Sequence, residues 1–87
     1  MSEALSDAFP CDFPIKVFGR HDAGLEAAVS AIIERHMGPI ERTRCSTRAS
    51  GDGNYLALTY TVVARSRAQL DELYRELTAC EAVLFAL

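Results

Sequence analysis

The chain has 87 residues, a formal net charge of −3, 49% hydrophobic and 24% charged residues. That is enough for one domain with one thin core, since a chain of this size buries only roughly 60–65% of the surface its unfolded form exposes. The acidic balance argues against a general binder of phosphate backbones.

Three cysteines, Cys11, Cys45 and Cys80, are widely spaced, odd in number and without a C-x-x-C pair. This argues against a disulfide scaffold or structural zinc site and fits reduced thiols in a cytoplasm better. The opening MSEALSDAFPCDFP has acids where a secretory leader has bases. No apolar run approaches the roughly 20 residues needed to span a bilayer, so no membrane role is expected.

In chain order, residues 1–8 read as a flexible N-terminus and residues 9–87 as a single domain. FPIKVFG, 13–19, predicts a strand with Phe13, Ile15 and Val17 on one face and Lys16 and Phe18 on the other. A polar elbow, Arg20-His21-Asp22, leads into a helix. Asp22 suits its N-cap, because a carboxylate accepts a bond from a free amide of the first turn. Leu25, Val29, Ile32 and His36, widened by Ala28 and Ile33, form the apolar stripe, and Gly38-Pro39 ends the helix near Met37.

IERTRCSTRA, 40–49, alternates like a strand, with Arg42, Arg44 and Arg48 on one face and Thr43, Cys45, Thr47 and Ala49 on the other; which face points inward stays open. SGDGN reads as a hairpin turn. YLALTYTVVA, 55–64, is the clearest strand, pairing Leu56, Leu58, Tyr60 and Val62 on one face with Ala57, Thr59 and Thr61 on the other. Ser66 and Gln69 make a capping box for a second helix with a stripe of Leu70, Leu73, Tyr74 and Leu77. Asp71, Glu72, Arg75 and Glu76 are expected in water, and AVLFAL closes the chain as a short strand.

Strand, helix, strand, strand, helix, strand is the α+β, ferredoxin-like βαββαβ sandwich: a four-stranded antiparallel sheet with two helices on one face. Lys16, Phe18, Tyr55, Ala57, Thr59 and Thr61 then stand on the open face. The first and third strands are central and the second is an edge blunted by arginines. The last is an edge without charge, which points to a partner chain or another cover.

FPxxFxxKVFG at 9–19, IIERH at 32–36, GNYLALTYTVVA at 53–64 and LDELYRELTACEAVLFAL at 70–87 together resemble the YbeD-like family of small bacterial proteins. The segment between His36 and Tyr55 fits its pattern least well. The resemblance implies the same sandwich, like the ligand-sensing ACT domains of metabolic enzymes, and a lipoate-related regulatory role.

The elbow is the first candidate site. Asp22-Ala23-Gly24-Leu25 is similar to the Asp…Gly-Leu signature of ACT domains, with one residue fewer and alanine in place of proline. Exposed amides at a helix start attract a carboxylate, and Arg20 and His21 add donors. The candidate ligand residues are therefore Gly19, Arg20, His21, Asp22 and Gly24. The plainer explanation is that Asp22 caps the helix and Gly24 allows close packing.

RNA binding through the open face lacks the aromatic run it needs, since Ala57, Thr59 and Thr61 stand where bases would stack. An acylphosphatase-like hydrolase lacks its phosphate loop, with only Gly19-Arg20 and Asn54 as faint echoes. A lipoyl carrier fails because the only lysine, Lys16, lies inside a strand. His36 at a helix end reads as structural, and no catalytic pairing, metal set or cofactor follows from these spacings.

The expectation is a cytoplasmic, non-enzymatic regulatory module that binds a small carboxylate at the elbow, as a homodimer or docked on a partner enzyme, with no nucleic acid. The competing expectation is a ligand-free adaptor working through Phe18 and Tyr55 on the open face or Leu84 on the last strand.

Overall fold

Alternation of side chains, with a period of two, decides the architecture. In the computed structural model, which describes residues 9–21 and 24–87, β1 (Cys11–Arg20) and β3 (Tyr55–Ala64) pair antiparallel along their full ten residues, from Cys11 opposite Ala64 to Arg20 opposite Tyr55. Ile15, Val17, Leu56, Leu58, Tyr60 and Val62 thereby fall on one face and are buried. β2 (Cys45–Ser50) flanks β3 and β4 (Val83–Ala86) flanks β1, giving the order β2-β3-β1-β4. The helices α1 (Leu25–Met37) and α2 (Arg67–Ala79) cover the apolar face with Leu25, Val29, Ile32, Ile33, Leu70, Leu73 and Leu77. This is the expected βαββαβ sandwich.

β1 is longer than the expected 13–19, because its pairing with β3 carries it to both ends of that strand. α1 begins later than the sequence suggests. Gly24 occupies its N-cap position in the left-handed region (φ 67°, ψ 32°), and the Ala28 N–H donates to the Gly24 carbonyl at 3.1 Å. Glycine reaches that conformation without a Cβ clash. Asp22, the expected cap, lies outside the described residues, as do residues 1–8.

The expected strand over 40–49 is corrected in its first half. Arg42–Arg44 form a short 3-10 turn, and strand pairing begins only at Cys45. Arg42, Arg44 and Arg48 therefore do not share a strand face. Arg44 turns back over β1, donating from both terminal nitrogens to the Asp12 carboxylate at 3.2 Å and to the Thr61 carbonyl at 3.3 Å. The open question of facing is answered by register: Ser46, Arg48 and Ser50 lie opposite Thr59, Ala57 and Tyr55 on the open face.

The capping box at α2 is present in a modified form. The Gln69 N–H donates to Ser66 Oγ at 3.1 Å, but Gln69 Oε1 accepts from the Arg65 N–H, one residue before the cap. Glu76, expected in water, instead lies between the helices. Its Oε1 is 2.6 Å from His36 Nε2, its other oxygen meets Arg35, and Gln69 Nε2 donates to the His36 carbonyl at 3.1 Å. His36, expected to be structural, thus joins the two helices through its ring and its carbonyl.

Gly19 lies where β1 passes close to Leu25 of α1 and to the Ala82 backbone just before β4. A Cβ there would run into the Ala82 carbonyl oxygen and stand 2.6 Å from Leu25 Cδ1. Overpacking of this kind costs on the order of 1–3 kcal/mol, so Gly19→Ala is expected to destabilise the fold by about 2 kcal/mol or more. Urea denaturation checks this; an unchanged midpoint contradicts the packing role.

Candidate functional site

The antiparallel register places the end of β1 beside the β2–β3 turn. The His21 N–H donates to the Asn54 carbonyl at 2.9 Å, extending the β1–β3 ladder by one bond beyond the strands. His21 Nδ1 lies 2.8 Å from the Gly53 carbonyl oxygen. A carbonyl can only accept, so Nδ1 carries the proton and Nε2 is the nitrogen left for another partner. Arg20, His21, Gly53, Asn54 and Tyr55 line an open depression of about 560 Å³.

Of the five elbow residues expected to bind a ligand, Arg20 and His21 are brought together here. Gly19 is buried under α1 and β4 and presents nothing to the depression. Gly24 is exposed at the start of α1 and is not among the lining residues, and Asp22 lies outside the described residues. The contribution of Gly53, Asn54 and Tyr55 was missed as a set. The signal for it was topological: in this fold the start of the third strand must stand beside the end of the first.

A second depression, about 420 Å³, runs between α1 and β2. Glu26, Ser30 and Glu34 recur every four residues along one side of α1, facing Cys45 and Thr47 across the groove, with Tyr60 in its lining. The buried Tyr60 hydroxyl is satisfied by Ser30 Oγ at 2.9 Å. Burial raises the pKa of the Tyr60 phenol and of the Cys45 thiol above their ordinary values, and the carboxylates of Glu26 and Glu34 push both the same way. Cys45 is therefore a protonated thiol near neutral pH, poorly suited to nucleophilic work.

The interaction residues named from sequence are separated. Phe18 stacks on Phe85 of β4 with ring centroids 4.6 Å apart. Tyr55 is exposed beside the elbow depression, and Leu84 is exposed at an irregularity in the β1–β4 pairing. Among the described residues no group of three or more His, Cys, Asp and Glu side chains is placed to hold a metal ion, and no helix is long and apolar enough to cross a membrane.

This βαββαβ sandwich has an ACT-like fold. It aligns with the ACT domain of the GTP pyrophosphokinase of Chlorobium tepidum at a TM-score of 0.65 and 14% identity, over 88% of this chain and 97% of that one. The C-terminal domain of the MgtC protein of Mycobacterium tuberculosis aligns at a TM-score of 0.57 and 22% identity, over 87% and 82%. At such identities the likeness shows the fold alone.

The chain itself belongs to the family described as protein of unknown function DUF493, whose profile matches residues 7–87. It is 43% identical over 70 residues to a UPF0250 protein of Paraburkholderia phytofirmans, covering 80% of this chain and 79% of that one. It is 40% identical over 77 residues to a UPF0250 protein of Nitrosomonas europaea, covering 88% of each. The YbeD-like assignment made from the ordered motifs is the same family.

The raised pKa of Cys45 sets a reactivity. At pH 7.5 its alkylation by iodoacetamide should be slower than that of an unstructured cysteine peptide, and should keep rising with pH beyond the point where the peptide levels off. Peptide mapping by mass spectrometry reads the rate; a fast reaction at neutral pH contradicts the environment described.

Proposed function

We propose that this protein is a non-catalytic regulatory module of the bacterial cytoplasm that binds a small carboxylate in the depression at the end of β1. The observation that supports the reading is the presence of both Arg20 and His21 in the lining of that depression, with the imidazole oriented by the Gly53 carbonyl. A guanidinium holds a carboxylate through two parallel N–H donors, and His21 Nε2 offers a further donor once the ring is protonated. The Tyr55 ring supplies an apolar wall for the rest of the molecule. The ACT-like fold and the lipoate-related role implied by the family resemblance favour lipoate, octanoate or an amino acid as the first ligands to try.

The test is an amide chemical-shift titration of labelled protein with these three ligand types. Saturable shifts are expected at Arg20, His21, Asn54 and Tyr55, weakened about tenfold or more by Arg20→Gln, in line with the loss of a charge-assisted pair worth about 1.5–3 kcal/mol. Shifts absent at millimolar ligand, or unchanged by Arg20→Gln, would remove the site.

A further inference from the structure

The open face of the sheet carries a pattern that shares only Arg20 with the carboxylate site. Register puts Phe85, Phe18, Ala57 and Arg48 in one row across the four strands. The next row holds Leu87, Lys16, Thr59 and Ser46, with Leu87 and Lys16 exchanging both backbone hydrogen bonds at 2.7 and 3.1 Å. Phe85 is 51% exposed and Leu87 65% exposed, on a face that no helix covers.

Charge on this face opposes the sign of the whole chain. Lys16 and Arg20 flank Phe18 two residues away on either side along β1, and Arg48 closes the row two strands over. None of the three has an acidic partner among the described residues. Asp12 is the only acidic residue at an open-face position of the described strands, and Arg44 neutralises it through two bonds. Glu26 and Glu34 lie on α1, and Asp71, Glu72 and Glu76 on α2.

From this we infer that the open face is a docking surface for an extended acidic segment of a partner protein, with an apolar anchor seated on the Phe18–Phe85 pair. The spacing is specific. Lys16 and Arg20 are four strand residues apart, roughly 13 Å at the usual rise, which is the separation of two carboxylates in an extended acid-x-hydrophobe-x-acid segment running along β1. The anchor then falls over Phe18, and Arg48, two strands over in the same row, adds positive potential beside it. Apolar burial supplies the affinity and the cations supply register and partner choice.

Single-stranded nucleic acid fits the same cations less well. Phe18 and Phe85 each spend one ring face on the other. The central open-face positions of β3 are Ala57, Thr59 and Thr61, which offer bases no platform. In a second copy of this chain the helix carboxylates follow a helical spacing, but Glu3-Ala4-Leu5-Ser6-Asp7 has the acid-x-hydrophobe-x-acid order, so docking of the chain's own residues 3–7 is the competing outcome that the test must separate.

The test is selection of a displayed random 12-residue library on the immobilised full chain, followed by amide shift mapping of the enriched peptides. Expected are sequences with the acid-x-hydrophobe-x-acid spacing, shifts centred on Phe18, Ala57 and Phe85, and affinity at least tenfold weaker for Lys16→Glu/Arg48→Glu, whose spectrum must show an intact fold. Phe85→Ser, at an exposed position, should weaken the same peptides. No enrichment, peptides without acids, shifts confined to the helical side, or equal binding by the charge-reversed variant overturns the inference. So does a fifteen-residue oligothymidine that gives the same shifts at lower concentration, or concentration-dependent shifts of the protein alone, which would give the face to nucleic acid or to a second copy. The variants leave Arg20 intact, so loss of peptide binding and loss of carboxylate binding are separate outcomes.

Discussion

The ten-residue antiparallel pairing of β1 with β3 is the constraint on which the rest depends. Because side chains alternate, fixing one pair fixes them all: a slip of β1 by one residue against β3 would send Ile15 and Val17 into water while Leu58 and Tyr60 stayed inside. The same register decides where chemistry can occur. It sets Arg20 opposite Tyr55, which brings the elbow to the β2–β3 turn, and Phe18 opposite Ala57, which leaves room on the open face beside the aromatic pair. Core, depression and docking face are three consequences of one alignment.

The helical layer is held by a different device. Its leucines and isoleucines supply the non-directional part of the packing. Direction comes from Glu76, which receives His36 and Arg35 from α1, and from Gln69, which accepts from the Arg65 N–H and donates to the His36 carbonyl. These are partly exposed polar contacts, so screening by water keeps each of them modest. Their role is to set how the two helices lie against each other, and so how α1 presents Glu26, Ser30 and Glu34 to β2.

Much of this was legible in the sequence because it rests on period and on local chemistry. The stripes of both helices, the inner face of 55–64, the Ser66 cap and the uncharged last strand follow from spacing alone. What was not legible depends on pairs distant in sequence. Arg42 and Arg44 alternate with Thr43 as a strand would, yet the 3-10 turn prevails, and Arg44 instead finds Asp12, thirty-two residues away. Glu76 looks like one more surface acid until α1 is laid beside it. Gly24 resembled a packing glycine, whereas it is the left-handed residue that starts α1; Gly19 resembled a ligand-site glycine, whereas it is the packing one. At the elbow the sequence singles out Arg20 and His21, two of the five residues that line the depression. Gly53, Asn54 and Tyr55 come from the end of the β2–β3 turn and the start of β3, whose nearness only the sheet order reveals.

Net charge shows the same division between what composition contains and what topology adds. A value of −3 is a scalar, and as a scalar it argues against anionic partners. The fold turns it into a direction. Lys16, Arg20 and Arg48 emerge on the open face because their register positions share one parity, while Glu26, Glu34, Asp71, Glu72 and Glu76 go to the helical side because their helices do. At physiological salt, charges farther apart than about 8 Å are largely screened from one another when exposed. An anionic segment on the sheet therefore meets the local cations and feels little of the acids beyond the core. The electrostatic character of each face is thus set by strand parity, and the sum over the chain describes neither.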